Sequence, residues 1–277
     1  MALPPQSVVE GRRDTVPVRL LPDHLIAIGE PVASVERICS LVGLSPRSVH
    51  SGLSRLRRQD RLFSPARGLY VAVPPEYRSW GVVPASWFID AMMQHLGRSY
   101  YVGLLTAAAV HGASHQHAQV FQVMVDRQLG DRDLGRVHLQ FHAVARLHSP
   151  QPVPTVEVAT HTGTMTVASP ELVVVDIVAD PDDSAGLDNV VTVLTDLPEL
   201  DIAVLVSACA TVPRAVVRRV GWLLENIVGT EGLEPLRDLA SPDTGEATPL
   251  DVHGPRAGYR DASWGIIENV ELGEGES

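Results

Sequence analysis

SPRSVHSGLSRLRRQD, residues 45–60, reads as a helix with one face to bury and one to present. Ser45 is a favoured N-cap, because its hydroxyl can accept a hydrogen bond from an orphan N–H of the first turn, and Pro46 fits that turn, where a missing N–H costs nothing. At about 100° per residue, Val49, Leu53 and Leu56 fall on one side and Arg47, Ser51, Ser54, Arg55 and Arg58 on the other. The first side suits a core and the second a polyanion.

The flanks give this helix a setting. Upstream, Ala33 to Val42 predicts a short helix capped by Ser34, with Val35, Ile38, Cys39 and Val42 as its apolar stripe, and Gly43 supplies a tight turn into the next helix. Two helices joined by a three- or four-residue turn containing glycine form a helix-turn-helix. Leu20 to Ile28 predicts a first helix. Downstream, Arg61-Leu62-Phe63 and Leu69 to Val73 flank Ser64-Pro65-Ala66-Arg67-Gly68, a hairpin in the position of a wing. Residues 19–80 therefore read as a winged helix-turn-helix DNA-binding domain. Residues 1–18, Pro-rich and without period, read as a flexible arm whose Arg12 and Arg13 could reach a minor groove.

Pro74-Pro75, Trp80-Gly81 and Pro84 mark a linker, and residues 85–240 read as a larger mixed α/β domain. Helices are expected over Trp87–Leu96 and Tyr101–His111, strands over Val120–Val125 and Arg136–Val144, and a hairpin over Val156–Thr160 and Thr164–Val167. Ser169-Pro170-Glu171 repeats the Ser-Pro start signal before an apolar helix, Leu172–Ala179. Helices at Leu187–Leu197, Ala203–Ala210, Arg214–Val228 and Glu234–Leu239 form a C-terminal helical part. Residues 241–277 read as an extension with one strand, at the island Ser263-Trp264-Gly265-Ile266-Ile267, and an acidic tail. The expected fold class is α/β (α+β).

Charge divides the chain at the same place. Residues 1–80 carry 11 arginines against 7 acids, +4, and the remainder 11 against 26, −15. The second domain should sit away from a duplex, and could attract a basic partner surface or mimic nucleic acid. All 22 basic residues are arginine, so the sequence offers no P-loop lysine, Schiff base or PD-(D/E)xK nuclease lysine. Cys39 and Cys209 lie in apolar helical contexts and read as core residues of a reducing compartment. With no apolar run of about 18 residues and a charged N-terminal segment, the expectation is a cytoplasmic protein with no membrane contact.

Among candidate sites, Arg47, Ser48 and Ser51 would enter a major groove, Arg47 reading guanine O6 and N7. Arg55, Arg58, Arg61 and Arg67 would hold phosphates, while Arg57 lies toward the flank. His111, His115 and His117, and His138 with His142 on one strand face, raise zinc, yet HExxH and a cysteine ligand set are lacking. The acids Asp126, Asp131 and Asp133, and Asp180, Asp182 and Asp183, sit around turns, which turn chemistry explains without a metal. No nucleophile motif is evident. The reading is no catalytic residue, no cofactor and no metal, hence not an enzyme.

The ordered set of motifs resembles the AbiEi family of antitoxins. Glu36-Arg37-Ile38, Gly43-Leu44-Ser45-Pro46, Val49, Leu53, Leu56 and Arg67-Gly68-Leu69-Tyr70-Val71 match its winged-helix part. Tyr100-Tyr101-Val102 opening a small-residue helix ending in His111-Gly112, Val120-Phe121-Gln122-Val123, and the Ser169-Pro170-Glu171 helix with Asp176 match its second domain in order. Pro65 departs from the pattern by widening the wing. The resemblance implies an antitoxin of a bicistronic abortive-infection (type IV toxin-antitoxin) system. It would repress its own operon by binding inverted-repeat double-stranded operator DNA and counteract an AbiEii-like nucleotidyltransferase toxin, with antitoxin activity associated with the C-terminal domain. Two other readings stand beside it: a winged-helix regulator whose second domain senses a small ligand, and a nuclease or metal-dependent enzyme with a DNA-binding module.

Overall fold

The computed structural model describes residues 15–113, 120–241 and 247–272. The chain forms two compact units, Met1–Val83 and Pro84–Ser277. Arg12 and Arg13, and His115 and His117, lie outside the described residues.

In the first unit the elements run α1 (Leu21–Ala27), β1 (Val32–Ser34), α2 (Val35–Val42), α3 (Pro46–Arg58), β2 (Leu62–Ala66) and β3 (Leu69–Ala72). The expected caps form: the Arg37 N–H donates to Ser34 Oγ at 3.3 Å, and the Ser48 N–H donates to Ser45 Oγ at 3.3 Å. Gly43 ends α2 at φ 68°, a left-handed conformation that glycine adopts without a Cβ penalty. Leu21, Leu25, Ile38, Val42, Val49, Leu53, Leu56 and Leu62 form one apolar core under the helices. Two elements differ from expectation: β2 runs on through Ser64, Pro65 and Ala66, which were expected in the turn, and the start of the second helix is displaced. Ala33 belongs to a strand, not to the second helix, because Val32 to Ser34 pair antiparallel with Leu69 to Val71 and make a three-stranded sheet ordered β1-β3-β2. Between Phe63 and Ala66 the pairing of β2 with β3 slips, a bulge at Ser64-Pro65 where proline has no N–H to give the ladder.

In the second unit a six-stranded mixed sheet is backed by helices. Its early elements are α4 (Ile89–Leu96), β4 (Tyr100–Val102), α5 (Leu104–Val110), β5 (Val120–Val125), β6 (Arg132–Asp133) and β7 (His138–Ala143). β8 (Thr155–Thr160) and β9 (Gly163–Ala168) follow as the expected hairpin. The strand order is β6-β7-β5-β4-β9-β8, with β5 parallel to β7 and β4 parallel to β9. Three expectations are corrected here. Tyr101 and Val102 are strand residues paired with Met124 and Val123, and the helix begins only at Leu104. Trp87 lies in a 3-10 turn before α4. The strand expected from Arg136 to Val144 is shorter, because a turn at Gly135 (φ 83°) precedes it.

α6 (Pro170–Ala179) is buried from Glu171 through Val178, and packs against α5. A helix apolar all round belongs in an interior. α7 (Leu187–Asp196), α8 (Ile202–Cys209), α9 (Arg214–Leu223) and α10 (Glu234–Ala240) complete the helical layer, and α6 packs on α8 and α9. The helix expected to reach Val228 changes at Leu224 into a single π-turn ending at Gly229. Where one strand was expected beyond Ser241, the described residues hold three: β10 (Thr248–Pro249), β11 (Tyr259–Asp261) and β12 (Ile266–Glu268), ordered β10-β12-β11. They seat Trp264, fully buried, edge-on to Gly221 of α9; a Cβ at Gly221 would come within 2.0 Å of the indole. The indole N–H donates to Glu225 Oε2, and the Arg237 guanidinium lies 4.8 Å from the ring centroid.

No helix among the described residues is long and apolar enough to cross a membrane.

Candidate functional site

α3 buries Val49, Leu53 and Leu56 and exposes Arg47, Ser48, Ser51, Arg55, Arg57 and Arg58. Gly52, on the flank, is required by a close approach: a Cβ there would meet Val18 Cγ1 at 2.5 Å. Ser48 is tied into the cap, its hydroxyl 2.9 Å from Ser45 Oγ. Arg58 Nε–H donates to the Ser54 carbonyl at 3.4 Å. Arg67 is exposed in the hairpin turn beside Gly68 (φ 81°). Arg61 is placed differently from the others. Its guanidinium donates to the Arg19 carbonyl and to Asp23 Oδ2, each at 2.8 Å, so it braces α1 against the start of β2. Two of its guanidinium donors are thus engaged inside the first unit.

The second unit has its own polar centre. Arg146, in a 3-10 turn, donates from Nη1 to Asp176 Oδ1 at 2.6 Å, and the Tyr101 hydroxyl donates to the same oxygen at 3.3 Å. Asp176 is 1% exposed and Arg146 8%. Burial pushes the Asp176 carboxyl up to about 6 even beside the guanidinium, and pushes the Tyr101 phenol up as well. Gly103 makes the room: a Cβ there would lie 2.5 Å from Met124 Cγ and 3.2 Å from Asp176 Oδ2. Arg146 carries no signal in the sequence, since its partner is 30 residues away on another element. Cys209 is buried, and desolvation pushes its thiol up to about 12, so it is inert as a nucleophile.

A cavity of about 430 Å³ opens beside this pair, lined by Gln140, His142, Arg146, Asp176, Asp180 and Asp183 among others. His142 Nδ1 lies 3.3 Å from Asp183 Oδ2, and Gln140 Nε2–H donates to Asp183 Oδ1 at 2.9 Å. The other histidines and acids disperse. His111 donates to the Ala168 carbonyl at 2.7 Å, His138 faces Asp133 at 3.6 Å, and Asp182 faces His253 at 2.9 Å. Asp126 faces Arg98 at 3.5 Å, and Asp131 accepts the Phe141 N–H at 3.0 Å.

Residues 101–226, which include Tyr101, Arg146, Asp176 and the cavity residues between them, match the family model described as AbiEi antitoxin C-terminal domain. No curated protein matches the chain. Among solved structures, the crystal structure of RV2827C protein from Mycobacterium tuberculosis is similar over 91% of both chains, with a TM-score of 0.61 and 12% sequence identity, a likeness of fold. Within its second unit, the chain is therefore similar to the C-terminal domain of AbiEi antitoxins.

Proposed function

We propose that the protein is a cytoplasmic antitoxin that counteracts a nucleotidyltransferase toxin and represses its own operon by binding inverted-repeat operator DNA. In this reading residues 19–80 are the winged helix-turn-helix, residues 85–240 carry antitoxin activity, and residues 241–277 extend that domain. The observation that carries it is the exposed face of α3, where Arg47, Ser51, Arg55 and Arg58 stand opposite the buried Val49, Leu53 and Leu56, in a chain that also holds an AbiEi C-terminal domain. A helix held by one face on a rigid core, with a turn before it and a hairpin after it, presents its N-terminal side chains to base edges and its arginines to phosphates. Arg47 is assigned to guanine; Arg55, Arg58 and Arg67 are assigned to the backbone. Ser51 stands one turn from Arg47 for a second base, while the Ser48 hydroxyl is shared with Ser45 in the cap.

Anisotropy titrations with the DNA upstream of the operon, over a series of salt concentrations, test this. Arg47→Ala is expected to lose roughly 5- to 150-fold in affinity and to relax specificity at one base pair. Arg58→Ala is expected to weaken all sequences alike and to lower the salt slope by about 1. Both variants are expected to rescue cells co-expressing the toxin as well as wild type does, since neither lies in the AbiEi domain. Wild-type affinity in both variants would overturn the docking assignment; failure of wild type to rescue would overturn the antitoxin assignment.

A further inference from the structure

Two features set aside separately in the sequence, the His138/His142 strand face and the Asp180/Asp182/Asp183 turn, meet in the fold through His142 from the first and Asp180 and Asp183 from the second. β7 delivers His142, and the C-cap of α6 and the turn after it deliver Asp180 and Asp183; each offers one donor atom, and the three atoms lie within 4.8 Å of one another. We propose that His142, Asp180 and Asp183 form a binding site for a divalent transition-metal cation, Mn²⁺ or Zn²⁺, on the wall of the cavity they line.

The donor set is one imidazole and two carboxylates, which suits these cations better than Mg²⁺, whose preference is for oxygen alone. The carboxylates are held in place as ligands are. The Asp183 N–H donates to Asp180 Oδ1 at 3.3 Å, Gln140 Nε2–H donates to Asp183 Oδ1 at 2.9 Å, and Gln122 Nε2–H donates to the Asp183 carbonyl at 2.7 Å. Supporting hydrogen bonds of this kind orient ligands and set their basicity. Within the cluster His142 Nε2 has no hydrogen-bond partner, and independently of it Asp176 Oδ2, on a fully buried side chain lining the same cavity, has none either. Unsatisfied buried polar atoms are rare and call for a partner. The site is independent of the DNA-binding face of α3.

The test uses the full chain stripped of metal with chelator. Mn²⁺ is titrated in with free ion followed by electron paramagnetic resonance, and Zn²⁺ against a chromophoric chelator. Wild type is expected to bind about one equivalent, His142→Ala and Asp183→Asn to weaken binding by at least ~10-fold, and Gln140→Ala, which removes a supporting bond, by about 10-fold. His138→Ala, on the same strand face, is expected to bind as wild type does. Because core-edge variants can misfold, the site is also located in wild type: sub-stoichiometric Mn²⁺ should broaden the His142 imidazole resonances before those of any other histidine. No stoichiometric binding of either ion, equal binding by wild type, His142→Ala and Asp183→Asn, or first broadening at another histidine would each overturn the proposal.

Discussion

Replacing Arg146 by alanine is expected to cost about 3–5 kcal/mol of stability, since it leaves the buried Asp176 carboxylate without its counter-charge. The Arg146 guanidinium is the only cation in contact with Asp176 among the described residues, and Tyr101 offers a single neutral hydrogen bond. A urea titration at pH 7 reads the loss as a lowered midpoint. A double replacement, Arg146→Met with Asp176→Leu, is expected to recover most of it, because an apolar pair of similar volume has no desolvation cost. The pH dependence follows from the raised Asp176 pKa of about 6. An unfolded aspartate titrates near 3.9. Between the two values the native state holds the proton more tightly, so this group's contribution is fully present below about pH 4 and is lost as pH rises through about 6. The stability of wild type relative to Asp176→Asn should therefore fall across that window. In Arg146→Ala the window should extend upward, making the variant more stable at pH 5 than at pH 7. A flat difference between wild type and Asp176→Asn would show that the carboxyl is ionised throughout.

Trp264→Ala is expected to cost about 3–5 kcal/mol, the range for emptying a large aromatic site in a core that cannot collapse around it. The indole is fully buried, fills the notch that Gly221 leaves in α9, and donates to Glu225, which also pairs with Arg237. Thermal unfolding followed in the near ultraviolet reads both the loss of stability and the loss of the fixed ring. Gly221→Ala attacks the same contact from the other side, and overpacking there is expected to cost about 1–3 kcal/mol. Trp264→Phe should retain most of the packing and lose the hydrogen bond, placing it between wild type and alanine. Equal melting of Trp264→Ala and wild type would mean that residues 247–272 contribute nothing to the fold of the second unit.

What the sequence disclosed was local. Ser34, Ser45 and Ser169 cap the helices they precede, Gly43 turns the chain, and Gly163 begins the strand that closes the Val156 hairpin. Each of these depends on residues within one turn of one another. What it concealed was pairing at a distance. Val32 to Ser34 are too few to show a period and become a strand only because Leu69 to Val71 lie alongside. Tyr101 and Val102 continue an apolar run into a helix, and only Met124 and Val123 decide that they are extended. On the α3 face, exposure of Arg47, Arg55 and Arg58 was legible from helical period, whereas the bond from Arg61 to Asp23 was not, because it joins the strand to a helix 38 residues earlier. The cavity was hidden for the same reason: His142 and Asp183 were visible as residue types, and nothing local tied them together.

The parallel pairing of β4 with β9, made at Val102 and Val167, bears on the order in which a growing chain can fold. Loop closure over so many residues must be completed before that pairing returns any free energy, and synthesis delivers only some 5–20 residues each second. The first unit, complete by Val83, closes through shorter spans, such as Val32 with Val71. On the ribosome it stands finished for seconds while the strands of the second unit's central sheet, Tyr100 to Ala168, are still being made. In that interval a nascent chain already displays the α3 arginines, tethered to the message that encodes them.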